Sequence, residues 1–162
     1  MTAPRRALLI AGPAIAFGLA REARAHSYSI GRLRIVHPYA APSAPGAPGA
    51  GYIRLIRNAG PAPDRLVGAR TASATAIEIH AMVRDADVMR MRAVPHVDVP
   101  ARGEVALRHD SQPALHLMMI GLRAPLALRD RIPVHLRFEQ AGEVEVVFIV
   151  QSLKGRGQDH RH

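Results

Sequence analysis

IPVHLRF, residues 132–138, and VEVVFIV, residues 144–150, flank the turn Gln140-Ala141-Gly142. In the first run the apolar positions are 132, 134, 136 and 138. In the second they include 144, 146, 148 and 150. A period of two places alternate side chains on one face, the pattern of a half-buried strand. A short Gly-containing connection between two such runs predicts an antiparallel hairpin.

The same signature recurs toward the N-terminus. Short strand-like runs occupy Ser29–Val36 (SIGRLRIV), Tyr52–Arg57 (YIRLIR), Leu66–Thr71, Ala76–Met82 (AIEIHAM), Val88–Val94 (VMRMRAV), Glu104–Arg108 (EVALR) and Leu115–Ile120 (LHLMMI). Residues 83–88 (VRDADV) read as a hairpin connection, and Ala124–Asp130 as a longer one. Asn58-Ala59-Gly60-Pro61 is a turn, and Val97–Pro100 leads into another at Ala101-Arg102-Gly103. Ala40–Gly51 (AAPSAPGAPGAG) reads as a Pro/Gly loop holding neither helix nor central strand. Evenly spaced short strands without helical periodicity predict an all-β sandwich or barrel.

The chain has 162 residues, enough for one domain with a real core. Aromatics are only 4% and Trp is absent, so that core must be aliphatic. The formal net charge of +9 comes from scattered arginines, with no dense basic run and no basic helix interleaved with aromatics. Nucleic acid is therefore not an expected partner. There are no cysteines. That excludes disulfides, thiolate nucleophiles, Fe–S clusters and the thiolate-ligated blue-copper electron carriers.

The N-terminus pairs Arg5 and Arg6 with an apolar stretch from Ala7 to Ala20, followed by Ala23-Arg24-Ala25. This is the layout of a signal peptide cleaved after Ala25. The apolar run is broken by Gly12 and Pro13 and is short for a membrane span. Export to a periplasm is expected, by the general secretory or the twin-arginine route, with no stable membrane insertion afterwards. The expected organisation is 1–25 signal peptide, 26–153 β-sandwich and 154–162 polar tail. A mature start at His26 would place an α-amino group beside an imidazole, which can chelate Cu(II); a frayed first residue is the plainer expectation.

Five of the six methionines lie between residues 82 and 119, close to His80 and His116. Thioethers suit soft ions, Cu(I) above all, and imidazole tolerates several metals. Along a strand, His116 and Met118 share a face. A second such pair can come from His80 and a methionine of the VMRMR run. The alternative is that these methionines fill a core, as alternate methionines in a strand commonly do.

The segment Ile77–Leu126 resembles the periplasmic PCu(A)C copper chaperones. His80 is followed after ten residues by Met91, and His116-Leu117-Met118 supplies a His-x-Met motif. IEIHAM, VMRMRAV, HLMMIGLRAPL and FEQAGEVEVVFIV all look like family segments. So does the stretch from His37-Pro38-Tyr39-Ala40 to GYIRLIRNAG. The resemblance implies a cupredoxin-like, Greek-key β-sandwich whose ligands are His80, Met91, His116 and Met118. Met82, Met89 and Met119 are secondary candidates, and His160 and His162 in the tail would help capture Cu(II). The family implies delivery of Cu(I) to a copper-accepting haem–copper oxidase subunit, where a dinuclear centre is assembled, or to another copper chaperone. No nucleophile–base pair or open hydrolytic metal triad is evident in the sequence, so no enzymatic step is expected. Copper storage or resistance, and a metal-free β-sandwich interaction module, are the alternative functions. Two departures stand out. Twenty-four residues separate Met91 from His116, a few more than is usual, with the excess in Arg108–Ala114 (RHDSQPA). His109 in that loop is either a further ligand or an exposed loop histidine. Tyr39 occupies a position that is often Trp.

Overall fold

The computed structural model describes residues 26–85 and 88–153. Among them are eleven strands and no helix: β1 Ser27–Ile30, β2 Leu33–Ala40, β3 Gly49–Asn58, β4 Asp64–Arg70, β5 Ala74–Asp85, β6 Val88–Ala93, β7 Val97–Val99, β8 Glu104–Leu107, β9 Ala114–Leu122, β10 Arg131–Phe138 and β11 Gly142–Val150. The expected signal peptide and the tail histidines, His160 and His162, lie outside the described residues.

The opening hairpin forms as expected, with Ile132 opposite Phe148 and Phe138 opposite Gly142. Its even positions Val134, Leu136, Val146 and Phe148 are fully buried. The ladder then runs β1-β2-β11-β10-β4-β5-β9-β3-β8, and β2 also pairs with β3. That last pairing closes the sheet on itself, giving a cupredoxin-like β fold without a break in the main ring of strands. Closure removes the unpaired edges that an open sheet would present. β6 stands outside the ring, paired with β5.

Three expectations need correction. The run SIGRLRIV is a hairpin rather than one strand. Gly31 turns the chain at φ +54°, a left-handed conformation that glycine adopts without strain, and Ile30 then pairs with Leu33. The Pro/Gly loop ends earlier than its composition indicates, because Gly49, Ala50 and Gly51 pair with Met119, Met118 and Leu117. Glycine is used there for close approach. A Cβ on Gly51 would stand 3.0 Å from both Met119 Cε and Phe148 Cε1. The 83–88 connection also shrinks, since β5 runs on to Asp85 and β6 starts at Val88.

Candidate metal centre

The site is built on the outer face of β9, β5 and β6. Cross-strand register puts His80 opposite His116 on one side and opposite Ala93 on the other. Residues directly opposite share a face, and so do residues two apart on one strand. His80 and Met82 of β5, His116 and Met118 of β9, and Met89 and Met91 of β6 therefore all project from the same face. The opposite face carries Ile79, Ala81, Leu117 and Met119 into the core.

The two imidazoles are neighbours, with ring centroids 5.7 Å apart and planes inclined at 63°. Tyr52 continues this row on β3, 6.2 Å from His116 by ring centroid, and Tyr39 stacks on Tyr52 at 5.3 Å. Both tyrosines are buried, and burial raises their pKa values. They stay neutral near pH 7 and wall the imidazoles off from water on that side. His109 lies against this wall, edge-on to Tyr52 at 5.9 Å, in a loop held by Ser111 Oγ donating to the Arg108 carbonyl at 2.8 Å. It is exposed, as the plainer of its two expectations had it.

His80 has two different nitrogens. Nε2 stands 2.9 Å from Glu78 Oε2. Nδ1 is buried and has no hydrogen-bond partner. An orphaned buried ring nitrogen costs roughly 1–3 kcal/mol unless something binds it. The donors that share the His80 face of the sheet are the His116 imidazole, the thioethers of Met82, Met91 and Met118, and the Glu78 carboxylate at Nε2. Among the described residues no three His, Cys, Asp or Glu side chains gather into a site. Two imidazoles with thioethers suit a soft monovalent ion better than a hard divalent one.

The methionines divide by position. Met118 is opposite Glu78, one row from the histidines. Met91 is opposite Met82, one row away in the other direction. Met91 is 55% exposed and Met89 50%. Met118 and Met91 are thus both diagonal neighbours of His80, but on opposite sides. Their rows lie about 14 Å apart along the strands of a flat sheet. Bringing both sulfurs to one ion requires the β5–β6 arm to curl toward β9. Met119 must be corrected as a candidate ligand: it is 0% exposed, on the core face, packed over Gly51. Glu78 belongs to no motif in the sequence; its spacing of two residues from His80, which puts both on one face of a strand, is the signal that could have found it. Tyr52, which completes the wall, carried no motif.

Burial, and secondarily the nearby His80, lowers the His116 pKa below 6.5. The neutral imidazole, the ligating form, is thereby favoured. The folded chain takes up a proton on His116 less readily than the unfolded chain does. Its contribution to stability is therefore whole above the unfolded value and is lost as pH falls through the lower, folded value. Thermal melts of the metal-free protein between about pH 7.5 and about pH 5 should show a falling Tm, with a shallower fall in His116→Gln. Equal slopes in the two proteins would contradict this.

The fold is that of PCuAC domains. The apo PCuAC domain from PmoF1 superposes with TM-score 0.64 at 23% identity, over 78% of this chain and 99% of that one. The copper-bound PCuAC domain from PmoF2 gives TM-score 0.64 at 22% identity, over 78% and 98%. The solution structure of CuI-DR1885 from Deinococcus radiodurans gives TM-score 0.59 at 25% identity, over 83% and 87%. Residues 33–150 match the family described as "Putative lipoprotein LpqE-like", and this chain belongs to that family. A curated relative, "Putative lipoprotein Lxx21020" of Leifsonia xyli subsp. xyli, is 26% identical over 107 residues. That match takes in 65% of this chain and spans 63% of the relative's length.

Proposed function

We propose that this protein is an exported copper chaperone that carries one Cu(I) ion as cargo, held by His80, His116, Met118 and Met91. The observation that carries this reading is the His80 ring. Its Nδ1 is buried without a partner, beside a second imidazole and on a face lined by thioethers. All four ligands are neutral, so the loaded site bears a single positive charge, and two sulfurs bias it toward Cu(I). The chemistry is binding and exchange rather than catalysis. A recipient's ligands can displace the chaperone's in steps, beginning at exposed Met91. The recipient in this reading is a copper-accepting oxidase subunit or another copper chaperone.

The signal-like residues 1–25 and the lipoprotein names of the relatives support a place in the cell envelope, with the periplasm as the proposed compartment. These 162 residues hold no cysteine to which a lipid could be attached through sulfur.

The test is a competition titration of the purified protein against a Cu(I) chelator, with Cu K-edge absorption of the loaded form. One tightly held Cu(I) per chain, with both nitrogen and sulfur scattering, is expected. Scattering from nitrogen and oxygen alone, or no uptake against the chelator, would overturn the reading.

A further inference from the structure

We infer that Glu78 is a positioning residue for the ion: its carboxylate fixes the proton of His80 on Nε2 and so presents Nδ1 as the ligating nitrogen. This rests on the copper reading above and goes further, naming the atom that binds and the residue that sets it.

A neutral imidazole has one N–H and one bare nitrogen, and the partner of one ring nitrogen decides the state of the other. A carboxylate offers only acceptors. The 2.9 Å contact between His80 Nε2 and Glu78 Oε2 is therefore made by an N–H donating from Nε2. That leaves the lone pair on Nδ1, the buried nitrogen with no partner within the protein. The opposite tautomer would set a bare Nε2 against a carboxylate oxygen and bury an unsatisfied N–H at Nδ1.

The sheet explains why Glu78 can do this. It sits two residues before His80 on one face of β5, and β9 holds it in register opposite Met118. Its side chain is about half exposed, with a relative accessibility of 49% against 16% for His80. Glu78 can thus keep its charge in solvent while reaching the ring. A carboxylate hydrogen-bonded to the far side of a ligating imidazole orients the ring and raises its basicity. It also places one negative charge beside a centre that bears one positive charge.

The experiment uses protein labelled with 15N in histidine and a long-range 1H–15N correlation, which reports which ring nitrogen carries the proton. In the metal-free protein His80 should show a protonated Nε2 and a bare Nδ1. With Ag(I), whose spin-active nuclei couple to bound 15N, as a stand-in for Cu(I), an ion with the same filled d shell, the metal should couple to Nδ1. Glu78→Ala should mix the two tautomers and weaken Cu(I) binding by roughly tenfold to a hundredfold. Glu78→Gln retains an acceptor oxygen and the side-chain shape, and should restore much of both. A proton on Nδ1 in the wild type, metal coupling to Nε2, or unchanged tautomer and affinity in Glu78→Ala would overturn the inference. The expected tautomer without any Cu(I) uptake would defeat the copper reading, and Glu78's role toward the ion with it, while leaving the hydrogen bond intact.

Discussion

The double variant His80→Ala/His116→Ala is expected to bind Cu(I) at least about a thousandfold more weakly than the wild type, a loss of roughly 4 kcal/mol. The two rings are adjacent on one row and are the nitrogen donors of the proposed site. What remains on that face is thioether sulfur and the Glu78 carboxylate, a hard donor that suits Cu(I) poorly. The fold should survive, because both rings lie on the outer face, apart from the apolar core. Two further substitutions separate ligation from packing. Leu is close to Met in volume, so exchanging them costs little where the sulfur is only filler. Met118→Leu should therefore weaken Cu(I) binding sharply, whereas Met119→Leu, one residue along but on the core face, should leave it unchanged. The competition titration reads both. Equal affinities in Met118→Leu and Met119→Leu, or full binding in the double histidine variant, would show that the ion is held elsewhere.

Asp64→Ala is expected to destabilise the metal-free protein by about 3 kcal/mol. Asp64 is buried at the start of β4, and its carboxylate accepts from three backbone amides. Oδ1 takes Gln140 N at 2.9 Å and Arg65 N at 2.7 Å, and Oδ2 takes Ala141 N at 2.9 Å. Glu139 N adds a bond to the Arg65 carbonyl at 2.8 Å. One side chain thereby fastens the β10–β11 turn onto β4. Alanine leaves three amide donors without their acceptor. Asp64→Asn keeps one acceptor oxygen but turns an NH2 group toward an N–H, so it should lose about half as much. Urea unfolding measures both, and Cu(I) affinity of the folded protein should be unaffected. A loss below about 0.5 kcal/mol in Asp64→Ala would mean that water replaces the carboxylate without penalty.

Much of this architecture is legible in residue order, and the reasons differ by element. The β10–β11 hairpin is readable because apolar residues fill every second position on both sides of a Gly-containing turn. The alternation of Ile77 and Ile79 with Glu78 and His80 marks β5 in the same way, and the two-residue spacing of His116 and Met118 puts that pair on one face. Gly31 hides the first hairpin: a single turn residue inside an alternating run looks like continuity until the chain reverses. Gly49 and Gly51 mislead in the opposite direction, since a breaker signal and a close-packing signal are the same letter. Met118 and Met119 differ only in parity, and parity can be read only after the strand's register is known. The closure of β2 on β3 and the alignment of Tyr52 with His116 depend on pairing between distant segments, which no local window contains. Asp64 is opaque for the same reason, because its partners lie far along the chain.

β6 is bonded along one side only, to β5, and every one of its side chains is exposed. On the proposed assignment, three of the four grips on the cargo are mounted on the welded ring and the last on a free-standing flap. Such an ion would be retained by the rigid frame and discharged by the flap. How firmly it is kept and how fast it is surrendered would then be governed by different parts of the molecule.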